Sequence, residues 1–152
     1  YLEFERFNPH PENERFMPRL DALPTRAVDA AAAGLPEGLG FKAAVLWLYY
    51  ENLEFAERFV AQMLGLPVVV DQGWAKIFPL APAAYLGLVD AARGMHSFTE
   101  EKAVELVVID PAVDERVEAM RRRGVPISPS DGVLEIRDSG NHRLRWQAPP
   151  DR

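Results

Sequence analysis

Two stretches of this chain repeat one order of elements, and the repeat limits the possible folds more than any other feature. Val45 stands 60 residues before Glu105, and Gly65 stands 59 before Gly124. Each glycine leads into the same kind of tripeptide, Leu66-Pro67-Val68 and Val125-Pro126-Ile127. A repeat of this length marks one supersecondary unit used twice. In the first unit, residues 43–50 (AAVLWLYY) are continuously apolar and predict a buried strand. Asn52 is placed to cap a helix in which Phe55, Phe59, Val60, Met63 and Leu64 recur at helical spacing. Gly65 suits the left-handed residue that ends it. Strands are predicted at 67–71, 74–80 and 84–90, with a turn at Gln72-Gly73 and a break at 79–82. The second unit has a strand at 103–109, then Asp110-Pro111 as helix cap and first helical residue. Val113, Val117 and Met120 face inward on that helix, and strands follow at 133–137 and 143–147, joined by Asp138-Ser139-Gly140-Asn141. Residues 126–132 leave no room for a full hairpin, so this unit is the shorter one.

The first forty residues read differently. Pro9, Pro11, Pro18, Pro24 and Pro36 forbid any long helix or central strand there. The sequence predicts a short strand at 1–7, helices at 13–22 and 26–33, and an N-terminal arm over 1–40 that packs on the main domain. Modules at 41–98 and 99–152 follow, with 41–148 forming one domain.

Seventeen Lys and Arg against 23 Asp and Glu give a net charge of −6, which argues against nucleic-acid and anionic-membrane partners. Cysteine is absent, so disulfides, iron–sulfur clusters, thiolate zinc sites and cysteine nucleophiles are excluded. A cysteine-free chain suits a reducing compartment, and the cytoplasm is the expected location. No apolar run reaches the roughly 18 residues of a membrane span, and no leader-like segment is recognisable. Nucleotide-cradling glycine loops and the G-x-S-x-G elbow are also missing. His10, His96 and His142 are scattered with no metal-binding spacing, and each is expected in a solvent-exposed arm, linker or turn.

The run from Tyr49-Tyr50-Glu51-Asn52-Leu53 through Phe59 to Met63-Leu64-Gly65-Leu66 carries a family resemblance. So do residues 84–90 (AYLGLVD) and the ending Arg137-Asp138-Ser139-Gly140-Asn141-His142-Arg143-Leu144-Arg145-Trp146-Gln147. Over residues 41–148 the two units resemble the βαβββ modules of the vicinal oxygen chelate superfamily, which includes glyoxalase I, extradiol dioxygenases and bleomycin-resistance proteins. The resemblance implies an α+β fold whose two modules, the second shortened, form a cup-shaped mixed sheet with helices outside. Leu2-Glu3-Phe4 resembles the superfamily's final strand. Three readings stay open for it: the last strand of an upstream module, a strand that fills the gap in the second unit, or an ordinary amphipathic edge strand.

Members of that superfamily hold a divalent metal in the cup through His, Glu or Gln, where it acts as a Lewis acid. Carried over, the four ligand positions fall on Val45, Gly87, Glu105 and Arg145. Only Glu105 could bind metal, with Glu3 conceivable beside it if the first strand closes the cup. The expectation is therefore no metal or other cofactor, and a buried Glu105–Arg145 ion pair in its place. Strand alternation puts Val45, Trp47 and Tyr49 on one face, with Tyr85 and Gly87 sharing a face. Trp47, Tyr49 and Tyr85, with Trp74 or Phe78 nearby, would line an aromatic pocket, and Gly87 would leave space there. The expected ligand-binding residues are Trp47, Tyr49, Tyr85, Glu105 and Arg145.

Two functional classes and a third remain at this point. One is a non-catalytic protein that binds a small organic molecule, as bleomycin-resistance proteins do. Another is a divalent-metal lyase, isomerase or dioxygenase resembling glyoxalase I. The third is a degenerate structural or dimerisation module. A homodimer is expected by resemblance alone.

Overall fold

The computed structural model describes Leu23, residues 43–127 and residues 133–150. The strand expected at 1–7 and the helices expected at 13–22 and 26–33 lie outside these residues, apart from Leu23.

Strand β1 (Ala44–Tyr50) leads into helix α1 (Leu53–Arg58), whose first turn is capped by the Asn52 side chain accepting from the Phe55 N–H at 2.9 Å. The helix widens into a π-helical turn over Phe59–Leu64 and stops at Gly65, where φ is 76°. Val60 and Leu64 are buried on this turn as expected, but Phe55 of the expected stripe is 56% exposed, because the buried face runs through Leu53, Ala56, Val60 and Leu64 with a wider winding than a regular helix has. Strands β2 (Val70–Asp71), β3 (Ala75–Ala81) and β4 (Ala84–Asp90) complete the first unit. Pro79 lies inside β3 rather than ending it, and the strand absorbs it by a register shift between Pro79 and Ala81. The second unit runs β5 (Glu105–Ile109), α2 (Val113–Arg122), β6 (Val133–Arg137) and β7 (Arg143–Gln147). Helix α2 begins later than Asp110-Pro111 predicted. The Asp110 carboxylate accepts from the Ala112 N–H at 2.9 Å, holding 110–112 in a turn that precedes the helix.

The fold is α+β, with two mixed sheets. The first has the order β1-β4-β3-β2 and the second β5-β7-β6. Each unit's first strand is an edge that pairs in parallel with its last strand. The registers match: Val45 stands beside Tyr85 as Glu105 stands beside Arg143, and Trp47 beside Gly87 as Val107 beside Arg145.

One face of each sheet carries the helices, and there the units share a core. Leu48, Phe78, Leu86 and Leu88 from the first sheet join Leu134, Ile136, Leu144 and Trp146 from the second, with Val60, Leu64, Val113 and Met120 from the helical segments. The second unit also caps the first. Arg123, just past α2, donates to the Met63 carbonyl at 3.4 Å, which sets a cation at the end of the π turn.

Candidate functional site

The face turned away from the helices differs between the sheets. In the first it is apolar and filled. Trp47 lays its indole directly on Gly87, so closely that a Cβ there would fall 2.1 Å from the ring. Gly87 therefore makes room for Trp47, and the space expected there is taken by the indole. Tyr85 is buried with Leu23, Val70 and Ile77, against Val45 and Trp47. Trp74, Ala75 and Val89 form a neighbouring cluster that Trp47 and Tyr49 also touch. Tyr49 meets the His96 ring edge-on at 5.1 Å, and partial burial raises its hydroxyl pKa. Phe78 lies on the helix side instead, in the shared core.

In the second sheet the same face is charged and open. Arg145 and Glu105 do meet, at 3.4 Å between Nη2 and Oε2, but their side chains remain 35% and 33% exposed. The pair expected to be buried is about one-third exposed, and among the described residues no layer of side chains closes over it as the Leu23 cluster does over the first sheet. Arg143 meets Glu135 at 3.4 Å, and Arg137 donates to the Asn141 side chain at 3.1 Å. The Nε of Arg145 is buried and without a hydrogen-bond partner. A cavity of about 240 Å³ opens among Lys102, Val104, Glu105, Arg137, Asn141 and Arg143. Val107 and Ile109, in line with Glu105 along β5, are 38% and 50% exposed.

The turn before β7 holds a buried cluster that sequence reasoning missed. His142, expected in solvent, is only 4% exposed. Its ring Nδ1 lies 3.1 Å from the Asp138 carboxylate, which also accepts from the N–H groups of Gly140 and His142 and from the Tyr50 hydroxyl at 2.5 Å. Tyr50 belongs to β1, so this cluster fastens the second unit to the first. Burial pushes the Asp138 pKa up, but hydrogen bonds from His142 and Tyr50, together with the His142 charge, leave it below the ordinary carboxylate value. Burial and then the Asp138 charge hold Tyr50 well above the usual phenol value. The sequence signal was the Asp-x-Gly-x-His spacing, which lets one carboxylate gather a turn's N–H groups.

Glu105 and Arg145 therefore stand together on the second sheet. Trp47, Tyr49 and Tyr85 stand on the first, Trp47 touching both apolar clusters. No family profile matches the sequence, and no curated protein matches it. Solved structures do match. A glyoxalase/bleomycin resistance protein from Catenulispora acidiphila aligns with a TM-score of 0.59 at 13% identity, covering 71% of this chain and 98% of that one. A lactoylglutathione lyase from Agrobacterium tumefaciens gives 0.55 at 19%, covering 73% and 92%. An antibiotic-binding protein from a Streptomyces species gives 0.54 at 18%, covering 70% and 94%. The fold is that of the vicinal oxygen chelate superfamily. Of the four positions that the resemblance offered as metal ligands, Val45, Gly87, Glu105 and Arg145, one is a carboxylate, Glu105. Among the described residues no group of three or more His, Asp or Glu is placed to hold a metal ion. Glu3 lies outside them. No described helix is long and apolar enough to cross a membrane.

Proposed function

We propose that this chain binds a small organic molecule on the vicinal oxygen chelate fold and does so without a catalytic metal. The observation that carries the reading is Glu105 itself. Among the described residues it is the one carboxylate at the positions the resemblance offers, and it is directed at Arg145. A cation fixed at the fourth ligand position repels a divalent metal, and Val45 and Gly87 offer it no donor atom. At Gly87 no longer side chain fits without displacing the Trp47 ring. The residues present do not fit the metal site of the superfamily.

The ligand meets the second sheet's open face, over Glu105 and Arg145. Trp47, Tyr49 and Tyr85 lie on the first sheet's filled face, where Trp47 covers Gly87 and Tyr85 is buried, so they brace the fold and do not line the open face. The same reading gives the chain no nucleic-acid or membrane partner, in keeping with its charge of −6, and places it in the cytoplasm as a homodimer.

A thermal-shift screen of small aromatic and aliphatic compounds, run in excess chelator, tests this. A ligand specific to the folded state adds about 2.7 kcal/mol of stability at a hundredfold excess over its Kd. Hits that persist in chelator are expected. Hits that appear only when metal is restored would overturn the metal-free reading.

A further inference from the structure

The second sheet's open face gathers cations in a protein that is acidic as a whole. Arg137, Arg143 and Arg145 project from β6 and β7 on that face, with Lys102 at its margin, while Glu105 and Glu135 are its carboxylates. Three arginines thus face two carboxylates in a chain of net charge −6, while the Lys102 ammonium at the margin sits over the Phe98 ring. The ion pairs do not exhaust the arginines. Both Arg–Glu contacts are long and single, at 3.4 Å, and the Arg145 Nε is a buried donor with no acceptor. A guanidinium presents its donors as a fork, and an oxyanion with two or more oxygens matches it better than one distant carboxylate oxygen does.

The other half of the face is apolar. Val107 is the register partner of Arg145 and Ile109 that of Gln147, and both are exposed. Adjacent exposed β-branched side chains bordered by charge mark a contact surface for an amphiphile. A metal ion has no place in this arrangement, and a purely apolar ligand would leave the guanidinium fork unused.

We propose that this face takes an amphiphilic organic anion, its charged oxygens on Arg137, Arg143 and Arg145 and its apolar body on Val107 and Ile109. The inference rests on the binding function proposed above and adds the charge and shape of the ligand. A carboxylate and a phosphate share this chemistry.

Calorimetric titration with four naphthalene probes separates the possibilities: 1-naphthoate, 1-naphthyl phosphate, the neutral 1-naphthalenemethanol and the cationic 1-naphthylmethylamine. Both anions are expected to bind at least about tenfold more tightly than the alcohol, and the amine more weakly than all three. Added salt should weaken the anions alone. Arg143→Gln and Arg137→Gln, both at exposed side chains, should bring the anions to the level of the alcohol while the melting temperature holds. A preference for phosphate over naphthoate, or the reverse, names the headgroup. Equal binding of anion and alcohol, or anion binding that survives both substitutions, overturns the charge inference and leaves the binding reading intact. Failure of all four probes together with a silent compound screen overturns both. Failure of the probes beside screen hits overturns this placement alone. Anion binding that is lost as protein concentration rises would put a second copy of the chain on the face, and would also overturn it.

Discussion

Trp47 lies beside Gly87 in the first sheet, and at the matching register position of the second sheet Val107 lies beside Arg145. The backbone arrangement is the same in both places. In the first, a large ring covers a missing side chain and sits among Tyr85, Ile77 and Leu23, which makes the face a second core. In the second, a guanidinium stands where the glycine was, a smaller aliphatic replaces the indole, and the face stays in water. The repeat therefore preserves the side of each sheet that packs on helices and leaves the opposite side free to diverge. One unit fills that side with packed aromatics, and the other keeps it charged and exposed.

The sharpest way to break this contrast is to truncate the paired positions. Trp47→Ala should destabilise the protein by about 2–3 kcal/mol, because a half-buried indole leaves a cavity over Gly87, whereas Val107→Ala should cost less than about 0.5 kcal/mol. Urea unfolding of both variants checks this, and equal losses would erase the distinction between the faces.

Next in size is the link between the units. Asp138→Asn should cost on the order of 2 kcal/mol, since a buried carboxylate serving several donors is replaced by an amide that satisfies fewer of them. The sign with pH follows from the lowered pKa of Asp138. A carboxylate with a lower pKa in the folded state adds stability above its unfolded value, near the ordinary carboxylate value of 3.8. That contribution is lost as pH falls through the folded value, so acid should destabilise the parent protein more steeply than Asp138→Asn. Melting curves over the acid range read the difference.

Gly87→Ala follows, at about 1–2 kcal/mol, because the added methyl must displace the Trp47 ring. A neutral result there would mean that the indole does not rest on the glycine. The smallest effects belong to the open face. Glu105→Leu and Arg145→Leu should each change stability by less than about 1 kcal/mol, as expected for a partly exposed ion pair. A much larger loss would make that face a buried core like its counterpart.

How far the residues alone disclose the molecule follows from the same contrast. Residues 84–90, 133–137 and 143–147 are strands with the bounds expected of them, because apolar alternation and flanking turn residues are local signals. Gly65 ends the first helical segment in the left-handed conformation, as its place in the sequence predicts. The meeting of Glu105 and Arg145 was expected from the family resemblance, and register alone would have set Glu105 beside Arg143. The exposure of the pair was not legible, because alternation says which side chains share a face and nothing about whether another layer covers them. Phe78 was assigned to the wrong face for a related reason: the shift at Pro79 and the flanking prolines blur the phase of β3. His142 was hidden because its burial depends on Tyr50, 92 residues away in sequence, and on a carboxylate that reaches both.

The most direct test of a metal-free face on this fold is to look for the metal. Elemental analysis of the untagged protein, followed by melting in Mn²⁺, Fe²⁺, Co²⁺, Ni²⁺ and Zn²⁺, should find no stoichiometric metal and no rise in melting temperature. Near-stoichiometric metal, with a stabilisation that Glu105→Gln removes, would contradict it and make Glu105 a metal ligand in place of a partner for Arg145.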